Sequence, residues 1–436
     1  MRIILFFAFS ISSVTVAHAE TLNDAYQTML QSNPELIESK ASQDAAWQAY
    51  MQLRGGYLPV VALAYNVGRG KGESFSPQTL NIGYTNDNIQ HKIISVSQLL
   101  WDGGALMNRV ESAKSQHDSV YFLKLLQINK LALQTASAYL AVLRSSEMEQ
   151  VTHQNVNMHL IKLDEIRRRY RGGAGTVGEV ALAKTKLGQA EIAWQQNKLN
   201  LANARSAYFE VVGQYPSKKL IIPEEPSFSL PHSLQEAECI ASKYNPSIMA
   251  EQKATQAAWH TAVASRAIVY APNVSFTLSA SRDENLNGIT GRTTSMQGYV
   301  AITYNIYNGG ADLADMRKTS AQFIANKAHL ETKRRSVITA INQTWNELQA
   351  TREKLILLRR GIAASRELAS SYRKEWQLGK RSLLDLMDKQ NEIAALRLAL
   401  IDSKYMIKIN KFTLLANAGV LPHYFTSKAH AYSCPV

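Results

Sequence analysis

Asp385 and Asp388 stand three residues apart, directly after the segment Gly379-Lys380-Arg381-Ser382. On a helix this spacing puts both carboxylates on one face. Both fall in the first turns after a break, where a helix N-terminus favours negative charge. Read alone, the stretch is a helix–helix turn with an acidic start.

Enzyme chemistry finds little to work with. The ten histidines are scattered, and His153 and His159 are six apart, off one helix face. No His-Glu-x-x-His or close Cys/His cluster occurs. His430 and Cys434 are too few for a metal site. Gly68-Arg-Gly-Lys-Gly72 lacks Walker spacing and a Ser or Thr after its lysine. No catalytic residue, cofactor or metal is expected. Net charge is +13, but the excess is spread along helical segments as a solvated face, so no nucleic acid is expected.

The acids need elements to position them. All eleven prolines avoid 78–215 and 273–421, and Pro216, Pro223, Pro226 and Pro231 cluster between. Proline-free stretches permit very long helices. After Gly103-Gly104 no glycine occurs until Gly172, and about 65 residues at roughly 1.5 Å each give a helix of about 100 Å. A second helix over 177–212 runs back. The later half matches, with helices over 311–376 and 383–417 around the break at Gly379. Residues 22–54 and 234–268 add a helix before each strand region.

The halves repeat. Asn33-Pro34 recurs as Asn245-Pro246 and Ala45-Ala46-Trp47 as Ala257-Ala258-Trp259, both offset by 212. Trp101-Asp-Gly-Gly recurs as Tyr307-Asn-Gly-Gly at offset 206, which also links Tyr170 to Trp376, Gly173 to Gly379 and Glu179 to Asp385. Between the helices the residues alternate. Val274, Phe276, Leu278 and Ala280 interleave with Ser275, Thr277, Ser279 and Ser281. Val300, Ile302, Tyr304 and Ile306 do likewise, with weaker equivalents at Val61, Leu63, Tyr65, Val67, Ile94, Val96 and Leu100. Period two with one apolar face fits a strand. Gly/Asn/Thr/Ser-rich loops are expected near 68–88 and 283–295.

The expected organisation is a signal peptide at 1–19, with Ala17-His18-Ala19 as its cleavage site. Repeat 1 covers 20–213, with strands near 59–68 and 89–101 and a helical hairpin over 103–212. A Pro-rich linker covers 214–233. Repeat 2 covers 234–422, with strands near 272–282 and 295–308 and a hairpin over 310–418. A short tail covers 423–436. No later segment approaches 18 uninterrupted apolar residues, so a membrane role must use strands. Four strands cannot close a barrel, so that role requires self-association. Cys239 and Cys434 are expected as two idle thiols, a bond between them being the alternative. A soluble periplasmic coiled-coil scaffold or adaptor is the competing function.

The repeated order, the Asn-Pro of each half, the two Gly-Gly motifs and the Gly-x-Arg-x-x-x-Asp-x-x-Asp pattern resemble the TolC family of outer-membrane channels over roughly 21–422. The resemblance implies a mainly α fold with transmembrane β. It implies a homotrimer with a long α-helical periplasmic barrel and one shared twelve-stranded outer-membrane β-barrel, four strands per protomer, built from two internal repeats. It implies a passive export duct for proteins or small toxic compounds, contacting outer-membrane lipid, a periplasmic adaptor and an inner-membrane ABC or RND-type transporter. Asp385 and Asp388 match the family's periplasmic constriction. Arg381, Glu179, Trp376 and Tyr170 match its gate latch. Gly173, Gly175, Gly379 and Leu383 mark the adaptor-facing hairpin tips. Trp376 stands where the family pattern has tyrosine, and Gly178 where it has a hydroxyl residue.

Overall fold

A computed structural model of the chain describes residues 19–76, 81–223, 230–231, 233–286 and 291–426. The expected signal peptide, apart from Ala19, lies outside them, as do part of the Pro-rich linker and most of the tail. The chain forms two compact units. One holds the described residues of Met1–Glu38, Leu125–Asn245 and Arg335–Val436, the other Ser39–Lys124 and Pro246–Arg334.

The second unit carries an antiparallel sheet of β1 (Val60–Ser76), β2 (Asn81–Trp101), β3 (Asn273–Glu284) and β4 (Arg292–Thr303), in that spatial order. Its register gathers the alternating apolar residues into one face. Val61 lies opposite Val96 and Leu63 opposite Ile94, and these continue to Leu278 and Ala280. Phe276 pairs with Val300 and Val274 with Ile302. The other face holds rows such as Ser95, Ser279 and Gln297. The apolar face is turned outward: Leu63 is 80% and Ile302 71% exposed.

The strands depart from expectation in two places. β1 and β2 run through most of the stretch read as a loop at 68–88. Their glycines keep period two, and a backbone ladder needs no side chain to continue. At Gly70 a Cβ would lie 2.9 Å from the tip of the Ile89 side chain on the facing strand, which would have to shift to admit it. β4 ends at Thr303 rather than 308. Its partner β3 begins at Asn273, directly after Pro272, so Thr303 is the last residue with a strand to pair.

The helix expected over 22–54 is two, α1 (Leu22–Ser32) and α2 (Pro34–Arg54); a 3-10 turn follows at Gly55–Tyr57. The helix expected over 234–268 is likewise α5 (Leu234–Tyr244) and α6 (Pro246–Tyr270). The residue before a proline is pushed out of the α region, and Asn33 and Asn245 are extended, with ψ of 122° and 119°. Each asparagine amide then has a use. Asn33 donates to the Val211 carbonyl at 2.9 Å, and Asn245 to the Asn417 carbonyl at 2.7 Å.

Those carbonyls close two long helices. α3 (Ala105–Arg171) turns into α4 (Val177–Val212), and α7 (Ala311–Gln377) into α8 (Leu383–Ala418). Each bound of α7 and α8 is that of α3 and α4 plus 206. A short α9 (Leu421–Phe425) follows. In the first unit Tyr26, Met29, Tyr139, Tyr208, Tyr405, Phe412 and Leu415 form one buried core. Tyr26 stacks on Phe425 with ring centres 4.0 Å apart. Burial pushes its phenol up to about 12. Tyr208 donates to the Glu20 carboxylate. The Tyr139 hydroxyl lies 2.7 Å from the carbonyls of both Glu20 and Ile221. Burial raises both phenols, so both hydroxyls stay protonated donors.

Cys239 corrects the expectation of idle thiols, since it is disulfide-bonded. The chain's other cysteine, Cys434, lies outside the described residues. No helix among the described residues is long and apolar enough to cross a membrane.

Candidate functional site

The two hairpin turns belong to the first unit and are built alike. Gly173 and Gly379 have φ of 76° and 71°, left-handed geometry that strains any residue with a Cβ. Gly173 N–H bonds to the Tyr170 carbonyl and Ala174 N–H to that of Arg169. Gly379 N–H bonds to Trp376 and Lys380 N–H to Glu375 in the same pattern. Tyr170 and Trp376 are therefore equivalent in the turns as well as in the sequence. These bonds satisfy the last carbonyls of α3 and α7.

The restarts are capped by side chains. Thr176 Oγ1 accepts from Glu179 N–H at 3.2 Å, and Glu179 Oε2 accepts from Thr176 N–H at 2.9 Å. This is a reciprocal capping box. One oxygen of Glu179 is thus engaged in its own turn, while the backbone at Gly175 passes close over the Tyr170 amide. Ser382 caps α8, accepting from Asp385 N–H at 3.3 Å.

Arg381 is held within its own hairpin. Its Nε donates to Glu375 at 2.9 Å, its guanidinium lies 4.1 Å from the Tyr372 ring centre, and Asp385 is 3.8 Å away. The Glu375 bond, more than the nearby charges, holds the guanidinium above its ordinary pKa. Asp388 has a different partner. Lys186 of α4 donates to its carboxylate at 2.6 Å, tying the two hairpins together. The two acids share a helix face as expected, but one is paired inside its turn and the other across hairpins.

Sequence reading missed Lys186. It lies three residues after Ala183 on the packing face of α4. A cation at that register needs an anion opposite, which is the signal that would have found it.

Trp376 packs between the hairpins. It is 7% exposed and sits with Leu163 and Ile166 of α3, Ala183 of α4, and Leu383, Leu386 and Met387 of α8. Arg169 and Lys162 approach its ring to 4.9 and 5.4 Å, within cation–π range. Its indole N–H has no acceptor among the described residues. Tyr170 stays exposed. Leu383 is 3% exposed, folded inward onto this cluster, while Val177, Leu378 and Leu384 are the apolar side chains turned outward near the tips. Gly173 and Gly379 are exposed and Gly175 half-buried.

Above the tips, Glu392 accepts from Lys389 at 2.6 Å and Ser365 at 3.0 Å. These bonds, Lys389 first, hold its carboxyl below the usual range. Its pairing is complete above the ordinary carboxylate pKa and is lost as pH falls through the lowered value. No group of three potential metal ligands occurs among the described residues. The arrangement can hold helices together through charge and packing.

Comparisons with known proteins agree with this architecture. The family described as "Outer membrane efflux protein" matches residues 25–214 and 240–420. Outer membrane efflux protein BepC of Brucella suis is 26% identical over 407 residues, covering 92% of this chain and 86% of that protein. Outer membrane protein TolC of Escherichia coli is 21% identical over 422 residues, 93% of this chain and 84% of TolC. A solved membrane protein from Pseudomonas aeruginosa superposes with a TM-score of 0.80 at 17% identity, covering 91% of this chain and 90% of that one. The outer membrane protein VceC from Vibrio cholerae gives 0.78 at 15%, covering 91% and 96%. The four-strand sheet and paired long helices thus form a TolC-like fold. The chain belongs to the outer membrane efflux protein family: it is an export channel of the outer membrane with a large periplasmic helical part, and not an enzyme.

Proposed function

We propose that three copies of this chain assemble into one duct. They pool their sheets into a twelve-stranded barrel in the outer membrane and close it at the periplasmic hairpin tips. The observation that carries this reading is the sheet. β1 pairs only with β2 and β4 only with β3 among the described residues. Open strand edges beside an exposed apolar face need both neighbouring strands and an apolar surround. A symmetric ring of copies in lipid supplies both.

At the tips, Trp376 and the Lys186–Asp388 pair keep the hairpins of one protomer together, and Arg381 keeps the α7–α8 turn folded. Asp385 and Asp388 line the constriction, and Glu179 and Tyr170 stand at the facing turn. Export needs these contacts to loosen. Family channels work with adaptors and inner-membrane transporters. Here the adaptor meets the tips around Gly173, Gly175, Gly379, Val177 and Leu378, and an ABC or RND-type transporter supplies the energy. Leu383 supports that surface from beneath.

Light scattering of the detergent-solubilised protein tests the assembly. The expected protein mass is that of three chains, with none released by detergent-free periplasmic extraction. A single chain recovered in the soluble extract would overturn it.

A further inference from the structure

Helix α7 carries arginines at positions 352, 359, 366 and 373, one every seven residues. Each follows by four residues a member of the inward stripe: Leu348, Leu355, Ile362 and Ala369. Three members of that stripe are buried and Leu355 is half-buried. The arginines therefore form a row along the shoulder of the packed seam, where helices facing one another exchange ion pairs. All four are exposed, and none has an ion-pair or hydrogen-bond partner among the described residues.

Three of them look onto a groove. Two adjoining cavities of about 470 and 380 Å³ are walled by α3, α7 and α8. The lower is lined by Arg366 and Arg373, the upper by Arg359 and Arg366. They share Val151, Gln154, Arg366 and Arg397, so the groove is continuous. The facing wall on α3 is neutral there: Gln150, Gln154, Asn155 and Met158. Its one carboxylate, Glu147, is taken by Lys404 at 3.1 Å. Arg397 adds a fourth guanidinium, bonded only to the neutral Gln154 at 3.2 Å. Ile362, Ala369, Ile393 and Ala394 supply apolar contact along the floor.

We propose that this groove seats an acidic α-helix of the periplasmic partner, with carboxylates seven residues apart answering Arg359, Arg366 and Arg373. The proposal rests on the reading above that the channel docks an adaptor. Successive arginines are about 10 Å apart along the helix, too far to converge on one phosphate. They fit the rungs of a second helix laid alongside. A second copy of this chain does not complete the row. None of its long helices carries acidic residues at three successive seven-residue steps.

The test uses the full trimer in detergent and two synthetic peptides of about four heptads, alike except for glutamate or lysine at every seventh position. Anisotropy should show the glutamate peptide binding and the lysine peptide not, with binding weakened by salt. Arg359→Glu, Arg366→Glu and Arg373→Glu together should lower glutamate-peptide affinity by about tenfold or more and admit the lysine peptide. Replacing the same three by lysine should retain the preference in weaker form. Equal binding of both peptides, or no change on reversal, overturns the proposal. So does loss of the trimer in the reversed variant with the lysine variant intact, which would make the row a seam between copies. Bilayer conductance, measured on the same samples, reports on the channel separately: conduction without peptide preference rejects the docking groove alone.

Discussion

Replacing Trp376 with alanine is expected to unfasten the hairpin tips. The indole fills the space between α3, α4 and α8, against Leu163, Ile166, Ala183, Leu386 and Met387. Truncating a buried tryptophan costs about 3–5 kcal/mol through lost transfer and the cavity left behind. Here the cost falls on the tip, whose cluster is separate from the main core of the first unit. Arg169 and Lys162 lose their ring as well. Hydrogen exchange should show faster opening of amides around Ile166 and Leu386, while those around Tyr139 and Phe412 stay protected. Trp376→Phe should retain much of the protection. Unchanged exchange at the start of α8 would remove Trp376 from the fastening.

The second large effect has a sign that the geometry fixes. Asp388 is paired with Lys186, whose side chain is far less exposed than the carboxylate it binds. Lys186→Ala leaves that carboxylate bare, once per protomer. Divalent-cation block of the channel is then expected to tighten by on the order of tenfold, equal to about 1.4 kcal/mol. Asp385→Ala with Asp388→Ala should act in the opposite direction, weakening block and lowering cation preference. Both shifts should shrink as ionic strength rises. Titration of block in planar bilayers separates these outcomes. If both variants moved block in the same direction, the acids would not line the constriction.

The parts of the fold legible in the sequence are those set by local chemistry. α3, α4, α7 and α8 end at glycine-bearing turns and contain no proline, so their bounds could be read almost to the residue. The strand alternation could be read for the same reason, because the pleat has a strict period. Strand ends could not. β4 stops where β3 stops offering partners, and β1 continues through glycines because its backbone ladder with β2 needs no side chains. The Asn-Pro repeat was visible as a motif. Its break in the helix follows from proline sterics, but its anchoring on Val211 and Asn417 needs the fold.

The site divides along the same line. The two acids share one face of α8, as their spacing requires, and Arg381 stands just before that helix. Their partners belong to tertiary structure: Lys186 comes from 202 residues away, and Glu179 spends an oxygen on its own cap. Trp376 stands at a position where the family pattern has a hydrogen-bonding tyrosine. An indole is larger and more apolar, and here it is packed inward under two cations. Leu383 turned inward for the same reason, since the cluster around Trp376 gives it an apolar neighbourhood.

Single-channel recording of the purified protein in a planar bilayer tests the central claim most directly. The wild type should insert as a pore of low resting conductance, and Arg381→Ser should raise that conductance by loosening the α7–α8 turn from Glu375 and Tyr372. Absence of any channel in wild type and variant alike would contradict the account.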